Sequence, residues 1–313
     1  MFDVVDVVRD AGSEDDWFSA FSESGILRFR GQGPWSQIER LGALDFVGSR
    51  FGWRASRPDQ ITEPLFTYEE DHSHTFGMSD DRGAANQEFV PWHVESPNWF
   101  FPQIAAGWWF TRVACRRGVG LTGFVDARDV WELLPDRFRD LALSARFCGF
   151  DQGGFGKIES FEAGELLDGR LPVTFTDVDG KSFTQYAHRI VEDHLCSDAK
   201  VLRLFPSYGV EAISGENPGM AVFVDDRPAI EEDWAGLREM YEWVASTVRK
   251  RDLQHWVQWE EDDFAIVDLH AGYHAVSGGF DPKDRSFKGI WGHEDTGYRI
   301  EHGSRPNGVE GLV

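Results

Sequence analysis

Apolar residues are arranged mostly in short runs bounded by glycine and other turn residues, which is the pattern of β-strands. In the first half of the chain these runs are GILRFRGQ (25–32) and AAGWWFTRVAC (105–115), and the second leads into the glycine-rich RRGVGLTGF (116–124). Later runs are RFCGF, FTQYAHRI, KVLRLF, MAVFVD, QHWVQWEEDD, FAIVDLHAGYHAVSG and SFKGIWGH. Many short strands with few helices predict a mainly β fold with flanking helices (α+β), a β-sandwich or jelly roll.

Two segments have the pattern of helices. DARDVWELLPDRFRDLALSA (126–145) begins with Asp126 as the predicted N-cap and is interrupted at Pro135. EEDWAGLREMYEWVASTVRKR (231–251) has an acidic beginning and a basic end, and both complement the helix dipole. Its apolar positions are spaced three and four apart, so they form one stripe that predicts core packing: Trp234, Leu237, Tyr241, Val244 and Val248.

A long polar segment, from about residue 55 to 90, shows neither strand nor helix periodicity. Long loops in compact domains are commonly functional, so we interpret this segment as a lid loop. The last residues, about 301–313, predict a loose C-terminal tail. Because no internal repeat or low-complexity linker divides the chain, we predict a single domain over residues 1–313.

Composition and charge restrict the classes of partner. The chain has 313 residues, 41% of them hydrophobic, with 13 tryptophans, which suits a globular protein with a large core. The 31 basic and 54 acidic residues give a net charge of −23 (31 − 54), which argues against nucleic-acid and anionic-membrane partners. We therefore expect a small-molecule substrate, and assembly into a homo-oligomer is left open.

The cysteines and the N-terminal sequence favour the cytoplasm. Cys115, Cys148 and Cys196 are odd in number and widely spaced, so they form no disulfide framework. MFDVVDVVRDAGSEDD is acidic and lacks the features of a signal peptide. No run of about 18 apolar residues predicts a membrane span.

Candidate chemistry begins with FVPWHVESPNWFF (89–101). His93 and Glu95 are two residues apart, so in an extended strand their side chains point to the same face. An imidazole and a carboxylate among large apolar rings need a partner, and a metal ion is one candidate. A His–Glu hydrogen bond at a strand edge is the alternative.

A second group of candidates lies in DDFAIVDLHAGYHAVSG (262–278). The buried run from Phe264 to Val267 leads into Asp268 and then presents His270 and His274 near a strand end, where active-site groups are often found. Two histidines and one carboxylate form the facial triad of non-haem iron(II) oxygenases, although the same ligands also suit zinc. Arg285 lies eleven residues after His274, and a guanidinium can hold a carboxylate with two parallel hydrogen bonds.

The order of these parts resembles the iron(II)- and 2-oxoglutarate-dependent dioxygenases of the taurine dioxygenase and clavaminate synthase-like superfamily. GILRFRGQ is similar to the N-terminal strand of that family, and WHVES (92–96) is similar to its W-H-x-D/E metal motif. LTGFVDARDVWELLP (121–135) is similar to its threonine-bearing strand and helix. VQWEEDDFAIVDLHAGYHA (257–275) resembles its W-x-W-x-x-x-D-x-x-I-x-D-N-x-x-x-x-H block, and Arg285 occurs where the family has its cosubstrate arginine.

The resemblance implies a double-stranded β-helix (jelly roll) core, with iron(II), 2-oxoglutarate and dioxygen as the cofactor and cosubstrates. It implies that the catalytic metal ligands are His93, Glu95 and His274. It also implies that Arg285 and Thr122 bind the distal carboxylate of 2-oxoglutarate. The implied reaction is oxidation of an unactivated C–H bond of a small metabolite, with hydroxylation as the default outcome and with release of succinate and carbon dioxide.

Three departures from the family pattern bear on these expectations. Leu269 and His270 follow Asp268 where the family usually has Asn-Arg, so His270 is a rival for the metal, with His274 preferred. Gly289 occupies the position of a second arginine in sulfonate-cleaving members, which argues against a taurine-like substrate. Glu95 in place of the commoner aspartate resembles the clavaminate synthase and amino-acid hydroxylase branch, so we favour an amino acid or an amino-acid-derived natural-product intermediate.

Several outcomes remain open on the sequence alone. The same iron centre could catalyse desaturation, ring closure or epimerisation. A zinc-type metallohydrolase and a non-catalytic binder that keeps the fold are alternatives from other functional classes.

Overall fold

The chain folds into β-sheets with helices packed against them, so the mainly β prediction is confirmed. The computed structural model describes residues 2–8, 14–55, 67–68, 74–75, 88–95, 103–149, 160–166, 169–176, 179–180, 182–204, 220–281 and 284–294. Within them the helices are α1 (Glu14–Ser24), α2 (Gln37–Phe51), α3 (Ala127–Glu132), α4 (Asp136–Ser144) and α5 (Glu231–Thr247). The strands are β1 (Asp3–Val7), β2 (Gly25–Phe29), β3 (Trp53–Ala55), β4 (Thr67–Tyr68), β5 (His74–Thr75), β6 (Glu88–His93), β7 (Gln103–Val113), β8 (Thr122–Asp126), β9 (Ala145–Gly149), β10 (Ser160–Ala163), β11 (Leu171–Thr176), β12 (Ser182–Arg189), β13 (Val191–Asp193), β14 (Lys200–Leu202), β15 (Met220–Val224), β16 (Arg227–Pro228), β17 (His255–Val257), β18 (Phe264–Asp268), β19 (Gly272–Ser277) and β20 (Arg285–Glu294).

An eight-stranded sheet has the order β1-β2-β18-β7-β20-β5-β4, and β3 pairs with β20 beside this path. β1 and β2 are parallel, whereas β18 pairs antiparallel with both β2 and β7. All five residues of β18 are buried, which explains why its apolar run is continuous rather than alternating. This strand carries the chain to Asp268 and then into the turn before β19.

A four-stranded sheet with the order β17-β8-β19-β6 carries most of the candidate site residues. His274 of β19 lies opposite His93 of β6 on one side and opposite Phe124 of β8 on the other. Thr122 at the start of β8 lies opposite Val276 of β19. The sheet therefore brings together segments that are far apart in the sequence.

A six-stranded sheet has the order β10-β11-β12-β9-β15-β16, and β13 and β14 form a separate antiparallel pair. Residues of β11 alternate between buried and partly exposed, so one face of this strand packs on a small core. That core consists of Cys148, Leu171, Val173, Phe175, Ala187, Ala221 and Phe223. The sequence predicted β9, β12, β14 and β15, but not β10, β11 or β13.

Helices α1 and α2, which the sequence analysis did not predict, cover the eight-stranded sheet. Ser36 and Glu39 form a capping box at the start of α2, and Gly52 ends the helix in the left-handed region with φ 79°. The Ser-x-x-Glu pattern ahead of an apolar run was the available signal for this helix. The core between these helices and the sheet includes Phe21, Leu27, Phe29, Leu44, Val47, Trp53, Phe264 and Ile266.

The two predicted helical segments form with one correction. Asp126 caps α3, and the break at Pro135 separates α3 from α4. The apolar stripe of α5 is buried or packs against the core, as predicted. However, α5 ends at Thr247, so the basic residues that were predicted to complement its C-terminal end lie after the helix.

The predicted tail and most of the predicted lid loop lie outside the described residues, so the single-domain prediction stays a prediction. Among the helices that the structure describes, none combines the length and the apolar character needed to cross a bilayer.

Candidate active site

His93 and Glu95 point the same way because their neighbours are fixed in the core. Trp92 and Val94 are 0% and 2% exposed, so the alternation of the extended chain turns His93 and Glu95 toward the opposite side. Nδ1 of His93 lies 2.8 Å from the carbonyl oxygen of Pro91. A carbonyl oxygen only accepts hydrogen bonds, so Nδ1 carries the proton and Nε2 presents its lone pair.

His274 completes the group from the neighbouring strand. The rings of His93 and His274 lie 4.0 Å apart between centroids. Oε2 of Glu95 lies 3.1 Å from Nε2 of His274 and 3.8 Å from Nε2 of His93. One ligand atom from each residue can be chosen so that all three lie within 4.8 Å of one another. Adjacent ligands of an octahedral ion, each about 2.1 Å from it, lie about 3 Å apart, so these spacings fit one metal ion.

The protonation state of His93 also suits a metal ligand. Burial lowers the pKa of His93 to about 4, and the nearby His274 acts in the same direction, whereas Glu95 opposes the shift. The imidazole is therefore neutral at physiological pH, which is the form that binds metals. The donor set of two imidazole nitrogens and one carboxylate matches the chemistry of iron(II).

A buried cation lies at the start of β20. Nη2 of Arg285 donates a hydrogen bond to Oγ1 of Thr122 at 2.8 Å, and Nε1 of Trp259 donates to the same oxygen at 2.7 Å. Cζ of Arg285 lies 5.2 Å from the ring centroid of Phe110 and 5.7 Å from that of Phe287. Burial lowers the pKa of Arg285 to about 10, so the guanidinium keeps its charge at neutral pH. The arrangement offers a positive charge and a hydroxyl group to an anionic ligand.

His270, the rival for the metal, is held elsewhere. Its Nε2 lies 2.9 Å from Oε2 of Glu192, which also lies 3.5 Å from Nη1 of Arg203. Burial works to raise the pKa of Glu192, but the hydrogen bond from His270 and the charge of Arg203 outweigh it and hold this pKa at about 2. Nη2 of Arg203 reaches the carbonyl oxygen of Glu95 at 3.4 Å, so this network adjoins the candidate ligands without supplying one.

Comparison with known proteins identifies the family. A profile of the taurine catabolism dioxygenase TauD, TfdA family matches residues 2–291. The chain belongs to this family. Its members are 2-oxoglutarate-dependent dioxygenases, which are oxidoreductases that use iron(II), 2-oxoglutarate and dioxygen, so the predicted family, enzyme class and cofactors are confirmed. No curated protein matches the chain.

Solved structures of other dioxygenases share the fold of this TauD/TfdA-family enzyme. A taurine dioxygenase from Burkholderia xenovorans aligns with a TM-score of 0.56 and 15% identity, over 93% of this chain and 84% of its own. A putative α-ketoglutarate-dependent 2,4-D dioxygenase from Burkholderia xenovorans aligns with a TM-score of 0.55 and 15% identity, over 95% of both chains. AAD-2 in complex with Mn(II) and N-oxalylglycine aligns with a TM-score of 0.53 and 14% identity, over 94% of this chain and 96% of its own.

A second group with metal-binding residue types in this dioxygenase is a hydrogen-bonded pair rather than an ion site. His194, Cys196 and Asp268 have donor atoms within 4.8 Å, but Nε2 of His194 lies only 2.7 Å from Oδ2 of Asp268. Two ligands of one zinc ion lie about 3.3 Å apart, so the shorter separation is that of a hydrogen bond. Burial works to raise the pKa of Asp268, but its hydrogen bond with His194 and the charges of His194 and His270 hold it below its ordinary value. The pair ties the end of β18 to the chain that links β13 to β14.

Three further side chains near the candidate site of this family member were not predicted from the sequence: Trp259, Arg203 and Glu192. Trp259 is the second tryptophan of the W-x-W pattern, so its position was noticed but no function was assigned to it. Arg203 and Glu192 contact residues 108 and 78 positions away, respectively, and no local pattern signals such pairs.

Proposed function

We propose that His93, Glu95 and His274 hold iron(II) and that Arg285 and Thr122 bind the distal carboxylate of 2-oxoglutarate. The observation that carries the proposal is the convergence of two imidazoles and one carboxylate from β6, β19 and the residues after β6. Thr122 belongs to the next strand of the same sheet, and Arg285 bonds to it. When bound together, iron(II), 2-oxoglutarate and dioxygen supply the oxidising power for attack on an unactivated C–H bond.

The surrounding side chains prepare the site before any ligand arrives. The indole ring of Trp108 lies 5.8 Å from the His274 ring and 5.7 Å from the Phe287 ring, so an apolar wall adjoins both halves of the site. Such a wall excludes water from a reactive centre. The bond from His93 to Pro91 fixes which ring nitrogen faces the metal position.

We propose that the substrate is an amino acid or an amino-acid-derived natural-product intermediate and that the outcome is hydroxylation. Glu95 and the position of Gly289 support the substrate class, and hydroxylation is the default outcome that the family resemblance implies. A Cβ at residue 289 would lie 2.5 Å from the Trp291 ring, which is 4% exposed. The Trp291 indole thus fills the space that a second, sulfonate-binding arginine would need.

The remaining proposals concern the whole chain. We propose a jelly-roll core in one domain, with the segment of about 55–90 as its lid, and action on a small molecule in the cytoplasm. The net charge of −23 and the absence of a cysteine framework in the sequence support the last two points.

A substrate screen tests the proposal. The protein is reconstituted anaerobically with iron(II), then mixed with 2-oxoglutarate, oxygen and single amino acids, and succinate and hydroxylated products are measured. We expect succinate release that is coupled to product for at least one amino acid and is absent in Glu95→Ala. Uncoupled succinate with every amino acid would contradict the substrate class, and no succinate at all would contradict the site assignment.

A further inference from the structure

The Thr122 hydroxyl group receives hydrogen bonds from two groups that can only donate. The indole N–H of Trp259 and the guanidinium of Arg285 have no acceptor atoms, and they lie 2.7 Å and 2.8 Å from Oγ1. A hydroxyl group has two lone pairs and one hydrogen. Both lone pairs of Thr122 are therefore engaged, and its hydrogen must point to a third atom that accepts.

No protein atom in the described part of the chain takes that hydrogen. Within the described residues, Oγ1 of Thr122 has two hydrogen-bond partners, and both of them are donors. Thr122 and Trp259 are 2% and 1% exposed, so bulk water does not substitute for a partner. A buried donor without an acceptor is costly, which indicates that this one is matched by a ligand.

Trp259 is held rigidly in the position that imposes this polarity. Its ring stacks on Phe110 with centroids 4.6 Å apart and an interplanar angle of 16°. The preceding strand fixes its backbone, because Val257 of β17 pairs with Thr122 of β8. The indole therefore cannot turn its N–H away from Oγ1 without losing this packing.

We propose that Trp259 is a positioning residue that makes Thr122 an obligate donor and so makes the pocket select a carboxylate over a carboxamide. The inference rests on the proposed function, in which Arg285 and Thr122 bind the distal end of 2-oxoglutarate. Both oxygens of a carboxylate accept, so they satisfy the hydroxyl group and the guanidinium together. A carboxamide would turn its N–H₂ toward groups that only donate.

Binding of a matched pair of inert ligands tests this inference without turnover. N-oxalylglycine and N-oxalylglycinamide have the same metal-binding end and differ in the distal carboxylate or carboxamide. Their affinities for the Mn(II)-loaded protein are measured by calorimetry. In Trp259→Phe, which keeps the ring and removes the N–H, we expect about tenfold weaker binding of the acid and less than about twofold change for the amide. The preference for the acid should therefore fall about tenfold.

Three further variants separate positioning from a structural effect. Trp256→Phe removes an indole N–H that bonds to Gln254 at 3.0 Å, so it should leave the preference unchanged. Thr122→Val should reduce the preference for the acid over the amide by the same factor as Trp259→Phe. The double variant should reduce it no further, because both substitutions act through one hydroxyl group. Thr122→Ser should keep the preference.

Each contrary result has a distinct meaning. Equal weakening of both ligands in Trp259→Phe, or additive losses in the double variant, would overturn the positioning role. If Trp259→Phe does not fold, as judged by circular dichroism, an unchanged preference in Thr122→Val would overturn it instead. Failure of the wild-type protein to bind N-oxalylglycine would overturn the proposed function and this inference with it.

Discussion

Histidine and carboxylate side chains meet in two regions of the molecule, with different results. In the candidate metal group, the carboxylate of Glu95 lies 3.1 Å and 3.8 Å from the two imidazoles. In the hydrogen-bonded pair at the end of β18, Oδ2 of Asp268 lies 2.7 Å from Nε2 of His194, and both side chains are almost fully buried. In the first group, three ligand atoms from two segments of the chain face one another at spacings that one ion can bridge, whereas in the second the imidazole and the carboxylate form a short hydrogen bond. We therefore propose metal binding for the first group and a structural role for the second.

Removal of one donor from the metal group should have the largest effect. We expect Glu95→Ala and His274→Ala to lose bound iron and all measurable turnover, because two protein ligands hold iron(II) poorly. His270→Ala is the matched control, since His270 bonds to Glu192 and should leave iron binding intact. Iron content after anaerobic reconstitution is the measurement. Normal iron content in His274→Ala would remove His274 from the ligand set.

Removal of the carboxylate from the structural pair should reduce stability instead of metal binding. We expect Asp268→Ala to lower the free energy of unfolding by about 3 kcal/mol, because it leaves a buried histidine without its partner. Denaturant titration measures the loss, and the exposed Asp252→Ala serves as the control. Loss of iron without loss of stability would reverse the distinction between the two regions.

Two of the buried arginines, Arg203 and Arg285, extend the comparison to cations. Arg285 bonds to a hydroxyl group, whereas Arg203 lies beside the carboxylate of Glu192. We expect Arg285→Lys to weaken 2-oxoglutarate binding about tenfold, because an ammonium group lacks the paired donors of a guanidinium. Arg203→Lys should leave that affinity within about twofold and lower the melting temperature. Equal effects of the two variants on affinity would show that Arg203 also faces the cosubstrate.

The smallest expected effect is a pH dependence at Glu192. Its pKa is about 2 in the folded protein against an ordinary value of 4.5, so its stabilising effect is complete above about pH 4.5 and is lost as pH falls toward 2. Because a quarter of the side chain is exposed, we expect Glu192→Gln to cost only about 1 kcal/mol at neutral pH. The difference in free energy of unfolding between the wild-type protein and Glu192→Gln should shrink as the pH falls. A constant difference from pH 7 to 3 would contradict the assigned cause.

The local parts of the fold could be predicted from the sequence. Apolar runs indicated β7 and β18, a β-like run indicated β20, and the spacing of His93 and Glu95 indicated that they share a face. Pairings between distant segments could not be predicted, because hydrogen bonds in a sheet depend on topology rather than on local pattern. The bond between His194 and Asp268 and the engagement of His270 by Glu192 are of this kind.

Two errors have different physical origins. Helix α2 was missed although Ser36 and Glu39 carry a recognisable start signal. The reason is that its apolar residues are only weakly concentrated on one face of the helix. Helix α5 was extended too far, because helix-forming basic residues follow Thr247 although the chain turns there. The assignment of the metal ligands stays a prediction that rests on their convergence.

The contact between residue 289 and Trp291 has an evolutionary consequence. An arginine at position 289, which the family resemblance links to sulfonate cleavage, would bring its Cβ against the indole of Trp291. If Trp291 is replaced first by a smaller residue, the void that it leaves should lower the free energy of unfolding by about 3 kcal/mol or more. Either order of substitution is therefore expected to cost stability at the first step, so position 289 should tolerate a larger side chain only when residue 291 changes with it.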